Sequence, residues 1–287
     1  MEYFLFKKLN LYTPTHFTLI NNKYFIVDCW NDRILIKEKG FFKKWKVISS
    51  FNKPHRIRFF NNNYFICDTD NNQVLRYDIN LNNNEKLNLI DLERPHDIQI
   101  YDNLLFIIDC YKGSSRLIKY NLDTFHSEII FQINNLYARS FKIINHYVYI
   151  SCSSSGEIIE LNMKNNFSSK VYCENKDNLS LACLHHNEQL IYGIERFIPN
   201  DIDYYDGYFY MTNYFYKNSK NKFIRFKTLI ELDKNNFEDL SYLTKGVPYY
   251  IEIVGDDMYL GEIDDYSNVK ILNSKNNMIK IKKVLNK

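Results

Sequence analysis

Glycine is scarce in this chain, with eight residues in 287, so most of its turns must be made by something else. Proline is scarcer, at five, and every one of the five stands at the same point of an internal repeat. The six cysteines form no C-x-x-C pair, which excludes a zinc knuckle. No apolar run approaches the roughly 18 residues of a membrane span. The N-terminal stretch Met1-Glu2-Tyr3-Phe4-Leu5-Phe6-Lys7-Lys8 has an acid at position 2 and no apolar core of signal-peptide length. The expected compartment is therefore cytoplasmic, where the cysteines stay thiols. Neither sign of charge dominates: 37 Lys and Arg stand against 34 Asp and Glu, a net +3. That balance implies no nucleic-acid partner. The short clusters Lys43-Lys44-Trp45-Lys46 and Lys280-Ile281-Lys282-Lys283 read as solvated outer strands.

What the chain does have is strand-forming bulk. It is 45% hydrophobic and 16% aromatic, rich in Tyr, Phe, Ile and Val. Asparagine takes glycine's place in runs such as Asn21-Asn22, Asn61-Asn62-Asn63 and Asn71-Asn72. Asn tolerates the left-handed backbone that tight hairpin turns need.

One sentence of sequence recurs: a proline, a variable residue, an apolar strand, a turn, and a second strand ending in a polar residue. Pro95-His96-Asp97-Ile98 runs to Asp109, Pro14-Thr15-His16-Phe17 to Asp28, and Pro54-His55-Arg56-Ile57 to Asp68. Pro199-Asn200-Asp201-Ile202 runs to Asn213 and Pro248-Tyr249-Tyr250-Ile251 to Glu262. In each of these the apolar residue and the terminal polar residue are 11 apart. A sixth copy, Ala138-Arg139-Ser140-Phe141 to Ser151, lacks the proline and reads as one residue shorter. Steps between copies are 40, 41, 43, 61 and 49 residues.

A period near 40 made of four short strands is the pattern of a β-propeller blade. Second strands such as Leu104-Leu105-Phe106-Ile107-Ile108 are apolar on both faces, as a blade packed between two others requires and a sandwich strand does not. The expected fold is all-β: a single domain over 1–287, a six-bladed β-propeller of four-stranded antiparallel blades. The blades span 14–50, 54–92, 95–134, 138–174, 199–243 and 248–285. The 61-residue step holds an inserted hairpin at 178–196, between blades 4 and 5, with a decayed seventh blade as the alternative reading of this segment. Tyr3–Lys8 is a candidate ring-closing strand. Cys29, Cys110 and Cys152 read as one repeat position, just after the terminal polar residue.

The repeat arithmetic defines rings. After the proline stand Thr15, His55, His96, Arg139, Asn200 and Tyr249; next come His16, Arg56, Asp97, Ser140, Asp201 and Tyr250. Two residues further along are Thr18, Arg58, Gln99, Lys142, Asp203 and Glu252. The second strands end in Asp28, Asp68, Asp109, Ser151, Asn213 and Glu262. Histidines and carboxylates at one mouth have the composition of a metal site. The competing reading is structural: the recurrent carboxylates accept backbone N–H bonds in their turns, and His55 and His96 hydrogen-bond between blades.

The repeat resembles the NHL-type six-bladed propellers, and Asp68-Thr69-Asp70-Asn71-Asn72-Gln73-Val74 is similar to their aspartate-led loop. Locally, Pro199-Asn200-Asp201-Ile202 with Phe209-Tyr210-Met211-Thr212-Asn213 resembles the paraoxonase and arylesterase blade that gives an asparagine to calcium. That likeness implies Asn200 as a calcium ligand. Pro54-His55 and Pro95-His96-Asp97-Ile98 resemble the zinc-binding blades of peptidyl-hydroxyglycine amidating lyases.

The expected function is metal-dependent hydrolysis of a small lactone or ester at the mouth, with calcium preferred to zinc. Asn200, Asp201 and Glu262 would hold the cation, which polarises the carbonyl. His55 or His96 would act as general base and Arg139 would bind an anionic substrate group. His16, Arg56, Asp97, Tyr249 and Tyr250 would line the ligand. The rival expectation is a non-catalytic scaffold for a peptide, glycan or protein, with Tyr249, Tyr250, Trp30, Tyr111 and Tyr214 at its rim. A lyase or isomerase at the same mouth is a third.

Overall fold

The structure is a computed structural model. It describes residues 9–40, 43–111, 113–133, 137–154, 156–172, 198–213, 216–217, 223–224, 229–232, 237–244, 246–255, 257–263 and 277–281. Its contacts divide the chain into two compact units, residues 51–188 and residues 1–50 with 189–287.

The first repeat forms β1 (Pro14–Ile20), β2 (Lys23–Asp28), β3 (Arg33–Glu38) and β4 (Lys46–Ser49). The second forms β5 (Pro54–Phe60), β6 (Asn63–Asp68), β7 (Gln73–Asp78) and β8 (Asn84–Lys86). Then come β9 (Pro95–Tyr101), β10 (Leu104–Tyr111), β11 (Ser114–Asn121) and β12 (Ser127–Ile133). The fourth has β13 (Ala138–Ile144), β14 (Tyr147–Cys152), β15 (Glu157–Asn162) and β16 (Ser168–Tyr172). The fifth has β17 (Pro199–Tyr205), β18 (Tyr208–Asn213), a small ribbon of β19 (Tyr216–Lys217) and β20 (Phe223–Ile224), then β21 (Leu229–Leu232) and β22 (Phe237–Asp239). The last has β23 (Val247–Val254), β24 (Asp257–Ile263) and β25 (Asn277–Ile281).

Five repeats are four-stranded antiparallel meanders, and the last is a three-stranded sheet among the described residues. Among the described residues, five four-stranded blades therefore stand where six were expected. The fourth strand of the second blade is the short Asn84–Lys86. The inserted hairpin at 178–196 and the closing strand Tyr3–Lys8 lie outside the described residues.

In the first two repeats asparagine does replace glycine where first strand turns into second. Asn21 and Asn22 have φ of 46° and 61°, and Asn61 and Asn62 have 44° and 60°. These left-handed pairs have the twist that two-residue hairpins require. The second strands are largely buried; Phe25, Ile26, Leu105, Phe106 and Ile107 are fully so. In the 51–188 unit, Phe106, Ile108, Phe141, Val148 and Ile150 share one core and Phe65, Cys67, Ile98 and Leu105 another. In the other unit, Phe17, Tyr24, Ile26, Tyr250 and Tyr259 form a core in which Phe17 stacks on Tyr259 at 4.3 Å.

Each first strand opens on a β-bulge, which the sequence pattern does not announce. Pro14 faces Asp28 but His16 faces Val27, so Thr15 is the extra residue. The same slip makes His96, Arg139, Asn200 and Tyr249 extra, and sets His55 with Arg56 between the Pro54–Asp68 and Ile57–Ile66 pairs. A bulge kinks the strand and re-aims its extra side chain.

The register also corrects the fourth repeat. Ala138 faces Cys152, as Pro14 faces Asp28, and Ser140 faces Ser151, as His16 faces Val27. The copy is not shortened. Cys152, not Ser151, holds the terminal position, and Cys152 stands one place before the position of Cys29 and Cys110.

Candidate functional site

The terminal carboxylates are turn clamps. Asp28 accepts the Tyr12 N–H at 2.6 Å, Asp68 the Asn52 N–H at 2.7 Å, Asp109 the Arg94 N–H at 2.8 Å and Glu262 the Gly246 N–H at 3.1 Å. Their other bonds go to their own hairpins: Asp28 to Arg33 at 2.7 Å, Asp68 to Gln73 at 2.8 Å and Asp109 to Arg116 at 2.9 Å. Each turn has backbone donors that would otherwise be buried unsatisfied, and a carboxylate at this register meets them.

The ring after the bulge stitches sheet to sheet. A first strand is the edge of its sheet, with backbone groups that the ladder leaves unmet. Asp97 accepts the Phe141 N–H at 3.1 Å, Asp201 the Ile251 N–H at 3.1 Å and Asp203 the Ile253 N–H at 2.6 Å. Gln99 donates to Phe141 O at 3.3 Å, Asn200 donates to Tyr249 O, and the Tyr250 hydroxyl donates to Phe17 O. Arg56 pairs with Asp97 at 2.8 Å and His16 with Glu252 at 3.3 Å. Of the residues expected to line a ligand, Arg56, Asp97, His16 and Tyr250 are thus buried in structural contacts, and Tyr250 is fully inaccessible. Tyr249 is buried at its bulge and lends its carbonyl to Asn200.

Three bulge residues behave differently, and all lie in the 51–188 unit. The His55 and His96 rings are 4.5 Å apart, centroid to centroid. His55 Nδ1 lies 2.9 Å from Lys53 O, and His96 Nδ1 lies 2.9 Å from Arg94 O. A carbonyl only accepts, so both rings carry their proton on Nδ1 and their basic lone pair on Nε2. The Tyr137 hydroxyl stands 2.7 Å from His96 Nε2 and donates to it. The Arg139 guanidinium covers the Tyr137 ring at 5.9 Å. Burial, with the charge of Arg139 second, depresses His55 from 6.5 to about 3. Burial, the neighbouring His55 and Arg139 hold His96 well below its ordinary value. Both imidazoles are neutral at physiological pH.

Asp70 adds a carboxylate beside them. It bonds Lys53 Nζ at 2.8 Å and Arg94 Nη2 at 2.9 Å. Burial pushes its carboxyl up, but the Lys53 bond and the Arg94 charge outweigh this and hold it below the usual range. Asp70, Arg94 and Tyr137 were missed from sequence. A signal for Asp70 was present: the equivalent turn residue is Trp30 in the first repeat and Tyr111 in the third, so among the first three repeats only the second puts a charge there.

The structure brings His55, His96 and Arg139 into one unit and does not assemble a cation site from Asn200, Asp201 and Glu262. Both oxygens of Asp201 accept backbone N–H groups, from Ile202 at 3.0 Å and Ile251 at 3.1 Å. Glu262 is committed to Gly246. Among the described residues, no three His, Cys, Asp or Glu side chains gather at metal-binding distance. These residues fit hydrogen bonding to backbone better than they fit calcium.

No family model matches the chain, and neither does any curated protein. Solved structures do. A chain from a nidogen/laminin complex superposes with a TM-score of 0.57 at 14% identity over 77% of each chain. A luciferin-regenerating enzyme superposes with a TM-score of 0.67 at 10% identity, over 97% of this chain and 94% of that one. The fold is a β-propeller. At such identities the likeness carries the fold and no activity. Among the described residues, no helix of this propeller is long and apolar enough to cross a membrane.

Proposed function

We propose that the His55–His96–Tyr137–Arg139 cluster hydrolyses a small ester or lactone that carries a negative charge. The observation behind this reading is the pair of adjacent neutral imidazoles, each held as the Nδ1–H tautomer by a backbone carbonyl. The Tyr137 hydroxyl is bonded to His96 Nε2, and His55 acts as the general base through Nε2. It takes a proton from the attacking water as hydroxide adds to the carbonyl carbon. The proton then passes to the leaving alkoxide as the C–O bond breaks, giving acid and alcohol. Arg139 holds the anionic group of the substrate or the developing oxyanion. A bound anion offsets the charge of Arg139, the second cause of the low basicity of His55 after burial, and so raises the basicity of the imidazole.

No step runs through a metal. A calcium ion at Asn200, Asp201 and Glu262 would have to displace backbone hydrogen bonds. The NHL-type assignment belongs to the same reading, supported by the proline-to-aspartate repeat. A second reading, binding of an anionic peptide or glycan without turnover, is favoured by the low basicity of the two imidazoles.

The test is a panel of carboxylate-bearing and neutral esters and lactones, assayed with and without EDTA. Hydrolysis of the charged members, lost in His55→Gln and weakened in Arg139→Gln, supports the reading. Absence of turnover with saturable binding of the same compounds would replace it with the second.

A further inference from the structure

The two histidines sit in different repeats, yet they are held in the same way. Each donates from Nδ1 to the carbonyl two residues before it, Lys53 for His55 and Arg94 for His96, at 2.9 Å in both cases. The side chains of those same two residues meet on one carboxylate. Lys53 Nζ bonds Asp70 Oδ2 at 2.8 Å and Arg94 Nη2 bonds Asp70 Oδ1 at 2.9 Å. One anion therefore straps together the two loops whose carbonyls set both imidazoles.

The strap has anchors of its own. Asp70 lies in the 3-10 turn Thr69–Asn71, and its N–H donates to Asn52 O at 3.0 Å. The neighbouring Thr69 hydroxyl donates to Pro95 O at 2.6 Å. The turn thus grips the entry to β5 through main chain and the entry to β9 through a hydroxyl, while Asp70 grips both through charge. The entry to β5 needs such a hold, because Lys53 is a non-glycine residue at φ 47°. The first repeat has Trp30 at the equivalent place, bonded by its N–H to Tyr12 O at 3.0 Å, so these two repeats share the main-chain anchor and only the second of them adds a carboxylate.

We infer that Asp70 is a positioning residue: by clamping Lys53 and Arg94 it holds His55 and His96 in matched Nδ1–H tautomers, so that His55 turns Nε2 to the ligand and His96 turns Nε2 to the Tyr137 hydroxyl. A lone backbone carbonyl on a mobile loop would let either ring rotate or exchange tautomer. A shared carboxylate between two cations gives charge-assisted bonds that hold both loops at once. The inference rests on the proposed role of the histidine pair, but its test does not need that role.

The experiment uses the full chain labelled with 15N-histidine. Two-bond 1H–15N correlation spectra report the tautomer of each ring, with His55→Gln and His96→Gln assigning the signals. The wild type should show both rings as Nδ1–H. Asp70→Asn should lose that pure signature for both rings, Lys53→Met for His55 first, and Arg94→Met for His96 first. Asp70→Glu should restore it at least in part. Retention of both Nδ1–H signatures in folded Asp70→Asn overturns the inference; should that variant fail to fold, their retention in both Lys53→Met and Arg94→Met does so. With an active substrate in hand, Asp70→Asn should lower kcat by about 10- to 100-fold with KM little changed. A tautomer change in Asp70→Asn with no hydrolysis by the wild type keeps the strap and removes the hydrolase reading.

Discussion

The same bulge carries opposite chemistry in the two units of the chain. In the 51–188 unit its extra residues are His55, His96 and Arg139, which meet around Tyr137 and Asp70. In the other unit they are Thr15, Asn200 and Tyr249, all buried, and Asn200 and Tyr249 bond each other side chain to carbonyl. The next inward position differs as well: Arg58, Gln99 and Lys142 in one unit, Thr18, Asp203 and Glu252 in the other. A bulge supplies a kink and a re-aimed side chain wherever it occurs. What the kink is used for depends on the residue placed on it, so a shared backbone device gives a cluster of two imidazoles and a guanidinium in one unit and inter-sheet mortar in the other.

The largest expected effect would break this contrast outright if it failed. His55→Gln should cost about 10²- to 10⁴-fold in turnover, the range of general acid–base catalysis. Asn200→Ala, at the matching bulge, should leave kcat nearly unchanged while lowering stability. Equal loss of kcat in both would put the working site in both units.

Next comes the stitching. Asp97→Ala strands the buried Arg56 charge and the Phe141 N–H, and should cost about 3–5 kcal/mol in urea unfolding. A cost below about 1 kcal/mol would mean that Asp97 is not a fold residue, and would reopen it as a ligand contact. Smaller is Gly261→Ala. A Cβ there would meet Pro14 O at 2.6 Å, so about 1–3 kcal/mol should be lost by overpacking.

The pH profile sharpens the contrast further. His55 and His96 titrate below their unfolded values, so the unfolded chain binds more protons as pH falls through 6.5. Stability is full above that pH and falls by about 1.4 kcal/mol per unit per histidine as pH drops toward 3, where His55 protonates in the fold. The double variant His55→Gln/His96→Gln should flatten that slope, measured by urea titration from pH 7 to pH 4. The smallest effect concerns the cation: EDTA should move the melting temperature by less than about one degree, because Asp201 and Glu262 already serve backbone donors. A shift of several degrees would restore Asn200, Asp201 and Glu262 as a metal set.

Much of the fold is local and was therefore readable. The proline, the alternating apolar strand, the asparagine turn and the terminal carboxylate each act within about fifteen residues of chain. The carboxylates' role as turn acceptors was readable for the same reason, since Asp28 and Asp68 each reach back 16 residues to one loop. The fourth repeat misled because Ser151 is polar and Cys152 is not; hydrogen-bond register, not polarity, assigns the position. Asp97, Asp201 and Tyr250 misled because a polar residue beside a mouth and a polar residue capping a neighbouring strand's edge look alike in sequence.

Sequence alone determined that the chain is a series of antiparallel meanders, and that the residue after each proline is where the repeats diverge. Only the tertiary structure decided which of those divergent residues could do chemistry. The partners of Asp97, Asp201 and Tyr250 lie some 44, 50 and 233 residues away in the chain, on strands brought alongside by folding. So do the contacts that join His55 to His96 and His96 to Tyr137. A side chain's hydrogen-bonding capacity is a property of its type, but whether a backbone group or a ligand uses that capacity depends on what the fold sets beside it.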